Sequence, residues 1–168
     1  MKEEHYKLCC ACKRFMRTNA DNFTHAVTLT LKPYRTFDTE RGKTRVIVNE
    51  IEAAKTFGQF LKRLNASVFG NAARSKRGKS IYVIPVLEGR ATNKLLHYHC
   101  TIGGFPAHLN DEDIRAKIKG AWHLTSFGND QVDVQQFKSA KWLDYMSKEL
   151  GFEEADGIDW ENVHLPTL

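Results

Sequence analysis

No stretch of the 168-residue sequence comes near the roughly 20 consecutive apolar residues that a membrane-crossing helix needs, and its first residues carry no apolar run of the secretory kind. Both absences point to a cytoplasmic protein. Cysteine is scarce: Cys9, Cys10 and Cys12 crowd one segment, and Cys100 stands alone. With no second cluster to answer the first, they do not make a disulfide framework. A zinc site would need a partner pair at a familiar spacing, which His5 alone does not supply. The plainer expectation for residues 1–22 is a basic, reduced, partly buried segment. No Gly-x-x-x-x-Gly-Lys-Ser/Thr loop is present, so ATP-driven chemistry of that type is excluded. Internal repeats and low-complexity tracts are missing as well. Finally, residues 149–168 lack Lys and Arg altogether, while holding six acids (Glu149, Glu153, Glu154, Asp156, Asp159 and Glu161).

That last absence sharpens what is there. The net charge is +5, but the chain before the acidic tail carries 25 basic and 14 acidic residues, a formal +11. A body so basic suits a polyanionic partner, with nucleic acid the default; a merely solvated surface is the alternative. A content of 42% hydrophobic and 27% charged residues fits one globular domain able to bury a core.

The coarse pattern is β(β)αββαβα. Residues 23–32 alternate over their second half and are rich in β-formers, so they read as a strand that Pro33 ends. A short second strand is expected at 44–48. Asn49 caps a helix over about 50–68, with Ile51, Ala54, Phe57/Gly58, Leu61 and Leu64 as its apolar stripe. Residues 71–80 form a loop that holds Arg74, Lys76, Arg77 and Lys79 and no acid. Ile81–Leu87 is a buried strand, Gly89–Asn93 a turn, and Leu95–Ile102 the return strand of a hairpin, closed by Gly103-Gly104. Asn110 caps a helix over 111–123, and Gln131–Gln136 alternates as a strand. A last helix begins near Ser139 and runs to Leu150, with Gly151 as its C-cap. An α+β fold follows: an antiparallel, ferredoxin-like or RRM-like sheet of about five strands with helices packed on it.

Three segments carry chemistry. In His97-Tyr98-His99 the two imidazoles lie two apart on a strand, so they project from one face while Tyr98 points to the other. Converging imidazole nitrogens bind divalent metals; an accidental pair on a half-exposed strand is the bland alternative. Glu88 ends the preceding strand, and a turn near 90–94 sets it opposite the histidines. Two His and one carboxylate leave open positions for water and phosphate oxygens, and the mixed donor set suits Mn²⁺ and tolerates Mg²⁺. In the last helix Leu143, Met146 and Leu150 form the apolar stripe, which turns Tyr145 to the far side. Lys141 and Lys148 flank it at i−4 and i+3, with Lys138 nearby. Positive charge there favours a phenolate and attracts a phosphodiester.

These segments, in this order, resemble the HUH endonucleases of rolling-circle replication. The resemblance covers about residues 23–151. Thr24–Lys32 is similar to the family's opening motif, which packs beneath the site. Leu95–Gly103 is similar to its His-hydrophobic-His motif, and Glu88 stands at its usual third-ligand position. Trp142–Leu150, with Tyr145 and Lys148 as Tyr-x-x-Lys, resembles its nucleophile motif. Trp122 and the Val132–Val134 strand stand where plasmid and phage initiators usually have a Trp and a strand. Only one tyrosine fits the motif, which implies a single-tyrosine enzyme.

The resemblance implies an HUH motif on a central strand of the sheet, with the tyrosine helix laid across the metal site. It implies a 23–151 catalytic domain followed by a 152–168 acidic tail. The implied activity is metal-dependent nicking and rejoining of single-stranded or hairpin origin DNA, with a host helicase and polymerase as further partners. Arg74, Lys76, Arg77, Lys79 and Lys141, and basic positions such as Lys13, Arg14 and Arg17, are expected to contact phosphates. A transposase or relaxase could use the same site, although relaxases generally carry their tyrosine near the N-terminus. A non-catalytic nucleic-acid-binding regulator on the same fold is the alternative from another class, and a phosphoesterase that uses water is a third.

Overall fold

Apolar and hydroxyl side chains alternate from Val27 to Leu31, and that period of two makes β1 (His25–Leu31) a strand with one oily face and one polar face. Val27, Leu29 and Leu31 enter the main core, while Thr28 and Thr30 turn the other way. The computed structural model describes residues 2–74, 78–89, 95–147 and 157–166. Around β1 it builds a four-stranded antiparallel sheet in the order β4-β5-β1-β6, from β4 (Tyr82–Glu88), β5 (His97–Gly103) and β6 (Gly128–Gln136). The expected α+β class with an antiparallel sheet is present, with four strands in this sheet rather than about five. β2 (Tyr34–Thr39) and β3 (Gly42–Ile47) instead form a separate two-stranded hairpin.

Two helices cover the oily face. α2 (Glu50–Phe69) starts where Asn49 accepts a hydrogen bond from the Glu52 amide at 2.9 Å, and α3 (Asp111–His123) starts where Asn110 accepts one from Asp113 at 2.8 Å. Both caps satisfy an otherwise orphaned helix amide. Asn49→Ala is expected to cost about 1 kcal/mol. Urea denaturation checks this: the midpoint should fall while the slope holds.

The buried face of α2 differs from the expected stripe. It is formed by Ala53, Thr56, Phe57, Phe60 and Leu64, while Ile51 is exposed. Two phenylalanines dominate because they bury the most area. Thr56 is tolerated on that face because its hydroxyl donates to the Glu52 carbonyl at 2.7 Å. Phe60 meets Trp122 of α3 edge-on, and the Trp122 indole N–H donates to the Thr30 carbonyl at 3.0 Å.

The opposite face carries a smaller core under α1 (Lys2–Thr18) and α4 (Lys141–Met146). Cys9, Cys12 and Met16 recur at i, i+3 and i+7, so the N-terminal segment is an amphipathic helix. Cys12 and Met16 pack with Phe23, Ile84, Val86, Leu143, Met146 and Ile158. Arg17 of α1 pairs with Asp144 of α4 at 2.5 Å. α4 is described from Lys141 to Met146, with Ser147 as its cap, and the expected continuation over 148–150 falls outside the described residues. The proposed C-cap Gly151 lies outside them too.

Residues 157–166 of the acidic tail run along the free edge of β4. The Leu87 amide donates to the Gly157 carbonyl at 2.7 Å, and Val83 and His164 exchange backbone hydrogen bonds at 2.7 and 3.0 Å. A sheet edge offers unpaired amides and carbonyls, and this segment covers them. β4 accommodates Pro85 because it is an edge strand of the sheet. Among the described residues, no helix is long and apolar enough to cross a membrane.

Candidate metal centre

Hairpin register decides what Glu88 meets. β4 and β5 pair so that Glu88 lies across from His97, Leu87 from Tyr98 and Val86 from His99. Glu88, His97 and His99 therefore share the face turned toward α1 and α4, and Tyr98 goes to the other side, as the period of two requires. Their ligand atoms all lie within 4.8 Å of one another. Glu88 Oε2 is 3.4 Å from His99 Nε2 and 3.6 Å from His97 Nε2. Among the described residues, no other group of three or more His, Cys, Asp and Glu side chains is arranged to hold a metal ion. Cys9, Cys10 and Cys12 form no such group, and none of the four cysteines is in a disulfide. Cys100 points into the oily core, where burial pushes its thiol far above the usual range and keeps it protonated.

The far nitrogens of both imidazoles are engaged. His97 Nδ1 lies 2.9 Å from the Leu95 carbonyl, so that nitrogen carries the proton and donates it. In the neutral ring Nε2, the nitrogen that faces Glu88, is then the one free to ligate. His99 Nδ1 lies 2.9 Å from the Thr28 hydroxyl on β1, the strand neighbour that faces it in register. His99 Nε2 is buried and makes no hydrogen bond among the described residues. Such outer partners fix the tautomer and ring orientation of metal-binding histidines. Glu88 is 2% exposed and His99 4%, against a partly open His97. A carboxylate so deeply placed is tolerated when positive charge stands beside it, as an imidazolium or a bound cation. Two nitrogens and one carboxylate oxygen fit a divalent cation with positions left open.

α4 lies over this group. The Tyr145 ring centroid is 5.0 Å from that of His99, and Trp142 sits 5.5 Å from His99 and 5.3 Å from Tyr145, stacked on the latter. Leu143 and Met146 anchor the helix in the smaller core, so Tyr145, 45% exposed, remains at the surface of the site. Tyr98, on the back of the strand, packs against Phe57 at 4.5 Å, and its hydroxyl donates to Asp159 at 2.9 Å. The strand bearing both histidines is thus held from both faces.

Other expected site residues fall elsewhere. Lys141 is exposed at the start of α4. Lys76, Arg77 and Lys148 lie outside the described residues. Arg74 and Lys79 precede Tyr82, the end of β4 opposite Glu88. Seven residues of strand, ~20 Å of rise, separate them from the candidate centre along the sheet. Thr28 and Trp142 were not expected to act at the site. The alternation in β1 gives a trace of the first, since it turns Thr28 and Thr30 to the polar face. Trp142 shows no such signal until α4 is docked. His25 lies on the other face, buried between Asp111 and Thr24, with its pKa lowered by burial against the opposing pull of Asp111.

Comparison with protein-family models, with curated proteins and with solved structures finds no match for this chain.

Proposed function

We propose that the protein is a single-tyrosine HUH endonuclease, a metal-dependent nickase and ligase of single-stranded DNA that starts rolling-circle replication. The observation that carries this reading is the edge-on contact of Tyr145 with His99, which itself belongs to the Glu88–His97–His99 group. Further support comes from topology. β1-α2-β4-β5-α3-β6 with the order β4-β5-β1-β6 is the ferredoxin-like βαββαβ pattern, with the His-x-His strand in the sheet interior. The basic body supports a polyanionic substrate.

Glu88, His97 and His99 would hold the cation, Mn²⁺ or Mg²⁺. When bound, it supplies Lewis-acid polarisation of the scissile phosphate. The chain's own residues do the rest. Tyr145 Oη attacks phosphorus, a P–O bond forms, and the bond from phosphorus to the 3′ oxygen breaks. The phenol proton is balanced by the proton gained on the departing 3′-hydroxyl. The enzyme keeps a 5′-phosphotyrosine, and reversal by a 3′-hydroxyl rejoins the strand. Trp142 holds the Tyr145 ring over His99, and Lys141 adds positive charge near the phosphate. Lys148, at i+3 from Tyr145, is assigned the role of easing loss of the phenol proton. A polymerase extends the freed 3′-hydroxyl, and strand separation falls to a separate helicase.

Denaturing gel electrophoresis tests the proposal. Protein is mixed with Mn²⁺ and labelled single strands, including DNA flanking the gene. A slow, SDS-resistant band that EDTA abolishes is expected. Cleavage without an adduct points to hydrolysis by water, and tight binding without cleavage points to a regulatory module. A milder perturbation should also register. Thr28→Val removes the hydroxyl beside His99 Nδ1 and is expected to weaken Mn²⁺ affinity by roughly 10- to 100-fold. Isothermal titration reads this directly, with unchanged far-UV circular dichroism as the folding control.

A further inference from the structure

The β2–β3 hairpin stands apart from the sheet, with almost every residue exposed. A lone hairpin is marginal in water unless something packs on it. One face does lean on the body: Val46 packs against the main core, and Arg35 donates to the Ser126 carbonyl at 3.1 Å. The other face has no protein beneath it among the described residues. By register it presents Tyr34, Thr36, Asp38, Lys43, Arg45 and Ile47. Ile47 is 68% exposed and Tyr34 45%, and the Arg45 guanidinium lies 3.6 Å over the Tyr34 ring. From Lys32 to Ile47 the segment has five basic and two acidic side chains.

Position adds to composition. The root of the hairpin is tied to the sheet end that carries the candidate centre. Thr30 pairs with His97, the Leu31 amide donates to the Leu96 carbonyl at 3.1 Å, and the Val48 amide donates to the Pro33 carbonyl at 3.0 Å.

We infer that the outward face of the β2–β3 hairpin binds single-stranded DNA beside the cleavage site, with a base stacked on the Tyr34–Arg45 pair and phosphates on Lys43 and Arg45. This deepens the nickase reading and rests on it for the choice of DNA. Interleaved aromatic and cationic side chains on an exposed surface are what unpaired bases and their phosphates need together. Charge complementarity with a polyanion selects this occupant over an apolar partner.

Fluorescence anisotropy of dye-labelled dT20 with the full chain in EDTA tests it, since chelation separates binding from cleavage. Tyr34→Ala and Arg45→Ala are each expected to weaken binding on the order of 10-fold. Arg45→Ala should also flatten the slope of log K against log salt by about 0.7. Lys119→Ala, a charge lost from exposed α3, should stay within about twofold. All three positions are partly or fully exposed, so the variants should fold, and circular dichroism checks that. Wild-type affinity in both hairpin variants overturns the inference, and so does an equal loss in Lys119→Ala. Tighter binding of a duplex or of rU20 overturns the choice of single-stranded DNA. The two proposals fail separately: hairpin-dependent binding without any Tyr145 adduct sinks the nickase alone, and an adduct with unaltered hairpin variants sinks the hairpin alone.

Discussion

Tyr145→Phe protein should form no covalent complex with single-stranded DNA and should lose strand cleavage by at least about 1,000-fold, a barrier increase of roughly 4 kcal/mol or more. The substitution removes one oxygen and little else. The ring keeps its place, because stacking on Trp142 at 5.3 Å and the contact with His99 at 5.0 Å involve the aromatic system rather than the hydroxyl. Packing of α4 rests on Leu143 and Met146, which do not change. Metal affinity should therefore hold near the wild-type value while covalent chemistry disappears. That split separates a nucleophile from a residue that merely shapes the site. Residual hydrolysis at the wild-type rate would mean that water attacks and Tyr145 has another duty.

The second large effect concerns the cation. His99→Ala should lower Mn²⁺ affinity by more than about 100-fold and abolish the adduct at micromolar metal, an effect of roughly 3 kcal/mol or more. His99 is the central member of the group. Its Nε2 lies 3.4 Å from Glu88, its Nδ1 is held by Thr28, and its ring supports both Trp142 and Tyr145. The variant thus loses a ligand and part of the floor under the tyrosine. The His97 side chain is more exposed, 18% against 5% for His99, so His97→Ala should cost less. The expected order of loss is His99→Ala, then His97→Ala, then Thr28→Val. Equal affinity across the series would show that the metal binds elsewhere. Glu88→Gln offers a further check, since it keeps the shape while removing the charge that two imidazoles face.

Much of the site was legible in the sequence because strand geometry is rigid. A period of two puts His97 and His99 on one face, and the antiparallel pairing of β4 with β5 sets Glu88 across from His97. Asn49 and Asn110 announced α2 and α3 because cap chemistry is local. Features that depend on distant partners stayed hidden. α1 was obscured because its buried stripe is built of Cys9, Cys12 and Met16 rather than Leu or Ile. β2 escaped because Tyr34–Thr39 buries nothing, so no pattern of burial marks it. Phe57 and Phe60 rotated the face of α2 away from Ile51, a choice made by what α3 and the sheet can accept. The ordering of residues 157–166 comes from the open edge of β4, which composition cannot reveal. The placement of Arg74 and Lys79 far from His97 follows from strand direction, and Thr28 becomes visible at the site only through the register of β1 against β5.

Mass spectrometry of the trapped complex is the most direct measurement of the central claim. Trypsin cutting after Lys141 and Lys148 releases Trp142–Lys148, which contains only one of the five tyrosines. After nuclease trimming of the DNA, this peptide should carry the added mass of a 5′-linked nucleotide on Tyr145, and only when Mn²⁺ was present. A nucleotide on any of the other four tyrosines, or no covalent species from any single strand with metal bound, would contradict the assignment.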